Sequence, residues 1–544
     1  MAKTTFMRGA LILSVSGIVS KIVGAFFRIP LGNFLGADGM AYYQAVYPIY
    51  ALLLTISVAG FPVAVSRMVS ERIVKGDHYG ANRVFKISLV IMTLLGIALF
   101  LTLWFSSDYI TSTKNFADVR EAFYGMRAIA PALFFVSVNS VVKGYFQGMQ
   151  NMVPSAIEQV VEQMFRVIIG IALAFFLMHL GEPQAAAGAT FGATAGGLAG
   201  FIFLVITYLR MVSREDFKAN LTESRLKFYE TRTPVKSVLY SFFAIAIPIT
   251  IGSAIMPIMN NIDLLIVMER LADSGWSPDE VRSMFGQLSA MAGSIINLPQ
   301  VITLAIAASL VPTIVIAVKS QDQEFLNKNI MQSVRMTVLV GMPCSIGVMA
   351  LATPILLLLY PMQPEDAVAS APSLIVMGVG IIFLSLIQTL TGVLQGAGHQ
   401  ALPMINLAIG AVFKVIITYT LTGIPAINIL GAATGTVVAY IVATLLNFIS
   451  VIRYTGVKFD WKLIALKPIL ASIAMGAIAI GVYKILNIFL GNSLSTVGGI
   501  LVAAAAYVVL IFVTKSITRD ELEFFPKGTM LVKVYDKVAT LFKK

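Results

Sequence analysis

Apolar runs of about 20 residues or more recur along almost the whole chain, and no other feature restricts its fold as strongly. Wound into a helix, such a run is about 30 Å long, the thickness of the hydrocarbon core of a bilayer. Fourteen runs are legible, at approximately 8–30, 42–70, 84–106, 120–146, 155–179, 186–209, 237–268, 283–317, 331–360, 368–395, 402–422, 428–452, 464–488 and 495–515. With 58% hydrophobic and 12% charged residues among 544, the chain lacks the polar surface of a soluble protein. The expected class is an all-α polytopic membrane protein. Lys21 interrupts the first run and no small-x-small cleavage site precedes a soluble domain, so this segment is expected to stay as the first membrane helix. Pro62, Pro131, Pro248, Pro257, Pro299, Pro312 and Pro343 fall inside spans, where they kink helices and release backbone carbonyls.

The net charge of +12 follows from topology. Of the 39 Lys and Arg, 28 fall in alternate loops and at the two ends: Lys3 and Arg8, five from Arg67 to Lys86, seven from Arg210 to Lys236, Lys319, Lys328 and Arg335, four from Arg453 to Lys467, and seven from Lys515 to Lys544. The opposite loops hold Lys114, Arg120, Arg270 and Arg282 beside many acids. The positive-inside rule then puts both termini in the cytoplasm, as an even helix count requires. It also removes the argument for nucleic acid as a partner. The tail, roughly 516–544, is basic and amphipathic and is expected to lie on anionic headgroups.

The chain repeats itself. KGYFQGMQNMVPSAIEQVVEQMFRVII (143–169) aligns with TGVLQGAGHQALPMINLAIGAVFKVII (391–417) at an offset of 248, pairing Gly144, Gln147 and Gly148 with Gly392, Gln395 and Gly396. GATFGAT (188–194) resembles GAATGTV (431–437). These places fall on helices four to six of a six-helix unit, and six helices separate them, so the repeats are parallel. That is a transporter architecture with a substrate site between lobes. The expected organisation is an N-lobe with its basic linker at 1–235, a C-lobe at 236–455, and two further helices with the basic tail at 456–544.

Ionisable groups inside the spans are costly and point to function. The bases are Lys21, Arg28, Arg127, Lys143, Arg166, Lys414 and Lys484; the acids are Glu158, Glu162 and Asp263. Lys484 and Lys143 lie near helix ends and are expected to snorkel, which is an alternative for Arg28 too. Ser14, Gly17, Lys21, Gly24 and Arg28 form one stripe on helix one, read as a cavity wall; small residues alone would mean helix packing. Glu158, Glu162 and Arg166 follow at i, i+4 and i+8, either an internal ladder or a hydrated wall whose acids tune charge. The surplus of bases suits an anionic substrate, phosphate above all. Lys21, Arg28, Arg127, Arg166 and Lys414 are the candidate substrate-binding residues, with Glu158 and Glu162 tuning their charge. Asp263, after Asn260 and Asn261 in a helix containing Pro257, is the candidate Na⁺ or proton site, with a structural hydrogen-bond role as the other reading. Cys344 is the single cysteine and the histidines 78, 179 and 399 are scattered, so no metal cage is expected. No Walker A lysine, HExxH or catalytic dyad occurs. The chain is expected to be no enzyme and to need no cofactor beyond a coupling ion.

The two six-helix lobes, the extra helices 13 and 14, and the segment from Gln147 to Gln163 (QG-x5-P-SAIEQVVEQ) resemble the MOP flippase superfamily. Within it the chain is most similar to the polysaccharide-exporter and stage V sporulation protein B branch, and to the Gram-positive MurJ-like lipid II flippases. Ser20-Lys21-Ile22-Val23-Gly24 fits the Ser-Arg-x-x-Gly motif of helix one with Lys for Arg, and Arg28 stands near the second helix-one arginine. Where the proteobacterial type has an arginine before a helix-eight proline, this chain has Ser294 before Pro299. The resemblance implies a flippase that passes a polyprenyl pyrophosphate-linked glycan, lipid II for peptidoglycan synthesis, to the outer leaflet by alternating access. It implies a monomer in the cell membrane, with lipid II, membrane lipids and cell-wall synthesis proteins as partners. Another lipid-linked polysaccharide or spore-cortex precursor is the alternative substrate. A cation-coupled multidrug antiporter fits less well, because twelve helices and an acidic cavity are usual there. A membrane glycosyltransferase would need large external loops with catalytic carboxylates.

Overall fold

The computed structural model describes residues 2–113, 119–227 and 234–514. The expected headgroup-bound tail at 516–544, Lys114, and part of the basic linker at 228–233 lie outside the described residues. The described residues are helical throughout, with no strand among them. Eleven helical stretches are long and apolar enough to cross a membrane. Two of them are each two helices joined at a single glycine. In α1 (Ala2–Val58) the break is at Gly36, with φ 65° and ψ −173°. In α17 (Lys467–Val513) it is at Gly491, with φ 70° and ψ 174°. Both glycines hold a positive φ that L side chains rarely adopt. Each break reverses the chain: Phe27 and Tyr43 put their ring centroids 6.3 Å apart across the first, and Tyr483 donates to Asn492 at 3.0 Å across the second. The loop expected at 31–41 is therefore helix on either side of one residue.

The intervening helices are α2 (Phe61–Val74), α3 (His78–Thr111), α4 (Phe123–Gly148), α5 (Val153–Leu177), α6 (Glu182–Val212), α7 (Glu215–Lys227), α8 (Val235–Asp273), α9 (Pro278–Gly286), α10 (Gly293–Ile296), α11 (Gln300–Ser320), α12 (Gln323–Ala350), α13 (Ala352–Leu359), α14 (Pro364–Gly396), α15 (Leu402–Thr422) and α16 (Leu430–Thr455). The expected eighth span is broken. After α9 comes a π-helical segment, Gln287–Ala292, then α10, and the helix resumes at α11 after Pro299. Counted with the two glycine turns, and with this broken helix as one pass, the elements are compatible with fourteen passes. The chain is a multi-pass membrane protein.

Two compact units are present, Met1–Gly286 and Gln287–Lys544. In the first, α8 packs on α1 and α2: Phe61 meets Phe242 at 5.3 Å, and Asn261 Nδ2 donates to the carbonyl of Pro48 at 2.7 Å. The packing boundary thus falls later than the repeat-based one at 235/236. The core of this unit is Phe85, Tyr145, Phe146 and Phe242 with small and β-branched neighbours. In the second unit, Ile314, Ile330, Val334, Leu390, Val393 and Val451 form the main core. Arg335, grouped with the basic loop from sequence, lies three turns into α12 and is buried. Helix α17 docks on α12, where Tyr507 Oη donates to the carbonyl of Leu339 at 2.9 Å.

The repeat is present in atomic detail. After α4, the backbone N–H groups of Gln150 and Asn151 donate to the carbonyls of Gln147 and Phe146; after α14, those of Gly398 and His399 donate to Gln395 and Leu394, each 248 residues on. Gln150 and Gly398 share the left-handed conformation, with φ 61° and 87°. Gly144 and Gly148 bring α4 onto α2, where a Cβ at either position would stand 2.7 Å from Pro62 or Val69. Gly392 and Gly396 bring α14 onto α11 in the same way. Gly188 and Gly192 of α6 abut Leu173 and the Arg166 carbonyl; Gly431 and Gly435 of α16 abut Leu421 and the Lys414 carbonyl, with the contacted residues again 248 apart and the glycines 243 apart. Asp77 and Asp322 cap α3 and α12, accepting from Gly80 and Phe325, so the correspondence reaches helices that the sequence comparison did not include.

Candidate functional site

Lys21, Arg28, Glu162 and Arg166 lie on the first limb of α1 (residues 2–35) and on α5, which pack together; the second limb of α1 is residues 37–58. On the first limb, Gly17 and Gly24 do not face open space. A Cβ on Gly24 would stand 3.0 Å from Nε2 of Gln163, and one on Gly17 3.8 Å from Nε2 of Gln159. Ser16 and Ser20 donate to the side chain and the carbonyl of Gln159, both at 3.3 Å. Gly17 and Gly24 of the expected cavity stripe are a packing seam against α5, the role such residues have when helices approach closely. Lys21, seven residues before Arg28, is exposed. Arg28 is half-buried with its guanidinium 5.7 Å from the ring centroid of Tyr47. Seven residues are two turns, so both cations lie on one side of the limb about 10 Å apart. Neither has a carboxylate partner among the described residues.

On α5, the expected ladder of Glu158, Glu162 and Arg166 is two separate ion pairs. Arg166 Nη2 meets Glu162 Oε1 at 2.8 Å, with both side chains 16% exposed. Glu158, with no exposed side-chain surface, instead meets Nζ of Lys143 at 3.1 Å. Lys143 therefore turns inward, where snorkelling was expected. The short turn at 149–152 explains this: it folds α5 back along α4, so the residue five before the end of α4 comes level with the residue five after the start of α5.

The remaining candidates lie apart. Arg127, in the second turn of α4, pairs with Asp108 at the C-terminal end of α3, and its Nε donates to Ser107 Oγ at 3.2 Å. Lys414 is in the second unit, buried on α15 at the position equivalent to Arg166. The counterparts of Glu158 and Glu162 at the offset of 248 are Asn406 and Gly410, and Asn406 donates to Asn447 at 2.8 Å. The acids of the first unit thus have neutral counterparts. Asp263 is half-buried on α8, two residues after Asn261, which spans the carbonyls of Pro48 and Pro257. Among the described residues, no group of three His, Cys, Asp or Glu is placed to hold a metal ion.

Two sets of residues were passed over in the sequence. Tyr43, Tyr47 and Tyr50 share a face of the second α1 limb, with centroid separations of 5.8 and 6.1 Å. Their i, i+4, i+7 spacing in YYQAVYPIY was the available signal. Arg282 joins α9 to the Gly36 turn, its Nε 3.5 Å from Asp38 and its guanidinium 5.6 Å from the Tyr42 centroid. No local periodicity marks that contact.

Residues 6–318 match the family described as polysaccharide biosynthesis protein, and residues 283–420 match MatE. Stage V sporulation protein B of Bacillus subtilis (strain 168) is 27% identical over 97% of this chain and 98% of its own length. Lipid II flippase MurJ of the same organism is also 27% identical, over 92% of each chain. Among solved structures, a lipid II flippase MurJ in an inward closed conformation matches with a TM-score of 0.68 at 15% identity, covering 92% of this chain and 98% of that one. A multidrug resistance MATE family transporter of the MOP superfamily matches with a TM-score of 0.67 at 16% identity, over 82% and 98%. With one family matched along more than half of its length, the chain belongs to the polysaccharide biosynthesis protein family, within the MOP flippase superfamily.

Proposed function

We propose that the chain is a flippase that carries a polyprenyl pyrophosphate-linked glycan, lipid II in the first instance, from the inner to the outer leaflet by alternating access. The observation that carries the reading is the pair Lys21 and Arg28: two cations on one face of a membrane helix, without a carboxylate partner among the described residues. A charge in a lipid-facing helix costs about 2.5–3.5 kcal/mol at the bilayer centre, so an unpaired pair is retained where an anion visits. A pyrophosphate carries the matching charge. Arg166 stands nearby, with Glu162 holding its guanidinium until substrate competes for it. The resemblance to the B. subtilis lipid II flippase supports the substrate class. Both termini are then cytoplasmic in the plasma membrane, and a Na⁺ ion or proton at Asp263 is the candidate coupling ion.

The equal identity to stage V sporulation protein B favours a second reading, a lipid-linked precursor of the spore cortex. Depletion of the protein in growing and in sporulating cells, followed by measurement of lipid-linked precursors in the inner leaflet, separates the two. Lipid II accumulates on depletion in growth under the first reading. Normal lipid II with another trapped glycan lipid rejects it.

A further inference from the structure

Tyr50 is 1% exposed, yet its hydroxyl has no hydrogen-bond partner among the described residues. Arg166 Nε is likewise buried and without a partner there, while a terminal nitrogen of the same guanidinium is taken by Glu162. Tyr50, Tyr47 and Tyr43 all act electrostatically on Arg166. A buried donor left unmet forfeits the hydrogen bond it made to water. Two donors unmet in one neighbourhood are an arrangement that binding would relieve. Chemistry limits what binds. A guanidinium Nε–H can only donate, so its missing partner is an acceptor. A guanidinium beside phenolic hydroxyls is a donor set for the oxygens of a phosphoryl group. Arg28, resting on Tyr47, extends the cationic surface from this point along the first limb.

We propose that Tyr50 and Arg166 form an oxyanion site in the first unit, with Tyr50 Oη and Arg166 Nε donating to phosphoryl oxygen and Tyr47 as the outer hydroxyl. The inference rests on the function proposed above only for the source of that phosphoryl group, the pyrophosphate of a lipid-linked glycan. Glu162 then acts as a placeholder whose hold on Arg166 loosens when the anion arrives.

The test uses the purified full chain in detergent, with inorganic pyrophosphate as the probe and binding read by calorimetry, alongside Tyr50→Phe and Tyr47→Phe. Tyr50→Phe removes one oxygen and no packing. It is expected to weaken pyrophosphate binding about tenfold, about 1.4 kcal/mol, and to leave the melting temperature unchanged or raised, because an unmet buried hydroxyl is gone. Tyr47→Phe weakens binding less. Unchanged affinity in Tyr50→Phe, or a lowered melting temperature or failure to fold, shows the hydroxyl to be structural and overturns the site. Wild-type protein that binds no pyrophosphate also overturns it, while leaving the flippase reading to its own depletion experiment. Tyr50-dependent binding in a protein whose depletion traps no glycan lipid leaves the site standing and removes the proposed transport.

Discussion

The buried carboxylate of Glu158 depends on one lysine, since Lys143 Nζ lies 3.1 Å from it and the glutamate side chain has no exposed surface. Removing one member of such a pair leaves an uncompensated charge, at a cost of about 3–5 kcal/mol. Lys143→Met is therefore expected to lower the melting temperature sharply. The double change Lys143→Met with Glu158→Leu is expected to recover most of the loss, because well-packed apolar residues can replace a buried ion pair. A double variant as unstable as the single one rules out the pair as the cause. At this scale the sequence was informative where one helix decides the outcome. The i, i+4 spacing of Glu162 and Arg166 and the shared side of Lys21 and Arg28 follow from helical geometry alone. The partner of Glu158 did not, because it is set by the register of two antiparallel helices across a turn. The stripe on helix one was half legible: spacing put Gly17 and Gly24 on a side with Lys21, but whether that side meets α5 or water is a tertiary fact.

Helix contacts in the repeat are made through glycines, and their tolerance differs between the two units. A Cβ on Gly192 would strike the backbone carbonyl of Arg166, which the α5 ladder holds in place; one on Gly435 would strike first the side-chain hydroxyl of Thr418, which can rotate. Gly192→Ala is expected to destabilise by about 1–3 kcal/mol through overpacking, and Gly435→Ala by less, read as melting temperatures in one detergent. Equal losses indicate that Thr418 cannot rotate away. Outside the membrane spans, α9 begins with a capping box. Glu280 Oε2 accepts from the backbone N–H of Ser277 at 2.9 Å and from its hydroxyl at 2.7 Å, and these bonds hold the Glu280 carboxyl below its ordinary value. Since the folded value is the lower one, the stabilisation is complete above the unfolded value, about 4.3, and is lost as pH falls through the folded value. Amide exchange at Ser277 is expected to quicken over that range, and Glu280→Gln to abolish the pH response; a response that survives the substitution belongs to another group. Approximate spans were legible because apolar length is a direct physical signal. That the turns between the first two and the last two spans narrow to single residues, Gly36 and Gly491, was not, since two turning glycines among 42 carry no mark.

The molecule combines parallel repeats with an unequal distribution of charge. Lys143, Glu158 and Glu162 of the first unit correspond at the offset of 248 to Thr391, Asn406 and Gly410, and only Arg166 finds a cation, Lys414. Carrying one net charge through the membrane is worth about 2.3 kcal/mol per 100 mV. If fixed cations neutralise the pyrophosphate on the outward stroke, the unloaded protein returns with net positive charge, and an inside-negative potential speeds that return. Collapsing the potential in vesicles or cells is therefore expected to slow flipping. Flipping that persists at zero potential, stops without Na⁺, and is lost equally in Asp263→Asn assigns the driving force to the ion. The bond between Lys143 and Glu158 also bears on how the protein is made. Each helix alone would bring a stranded charge into lipid, at about 2.5–3.5 kcal/mol near the centre. Only the residues 149–152 separate α4 from α5, so the ammonium meets its carboxylate as soon as the second helix leaves the ribosome. The two are suited to enter the bilayer as a hairpin, already neutralised. The corresponding pair in the second unit, α14 and α15, carries the neutral Thr391 and Asn406 at these positions.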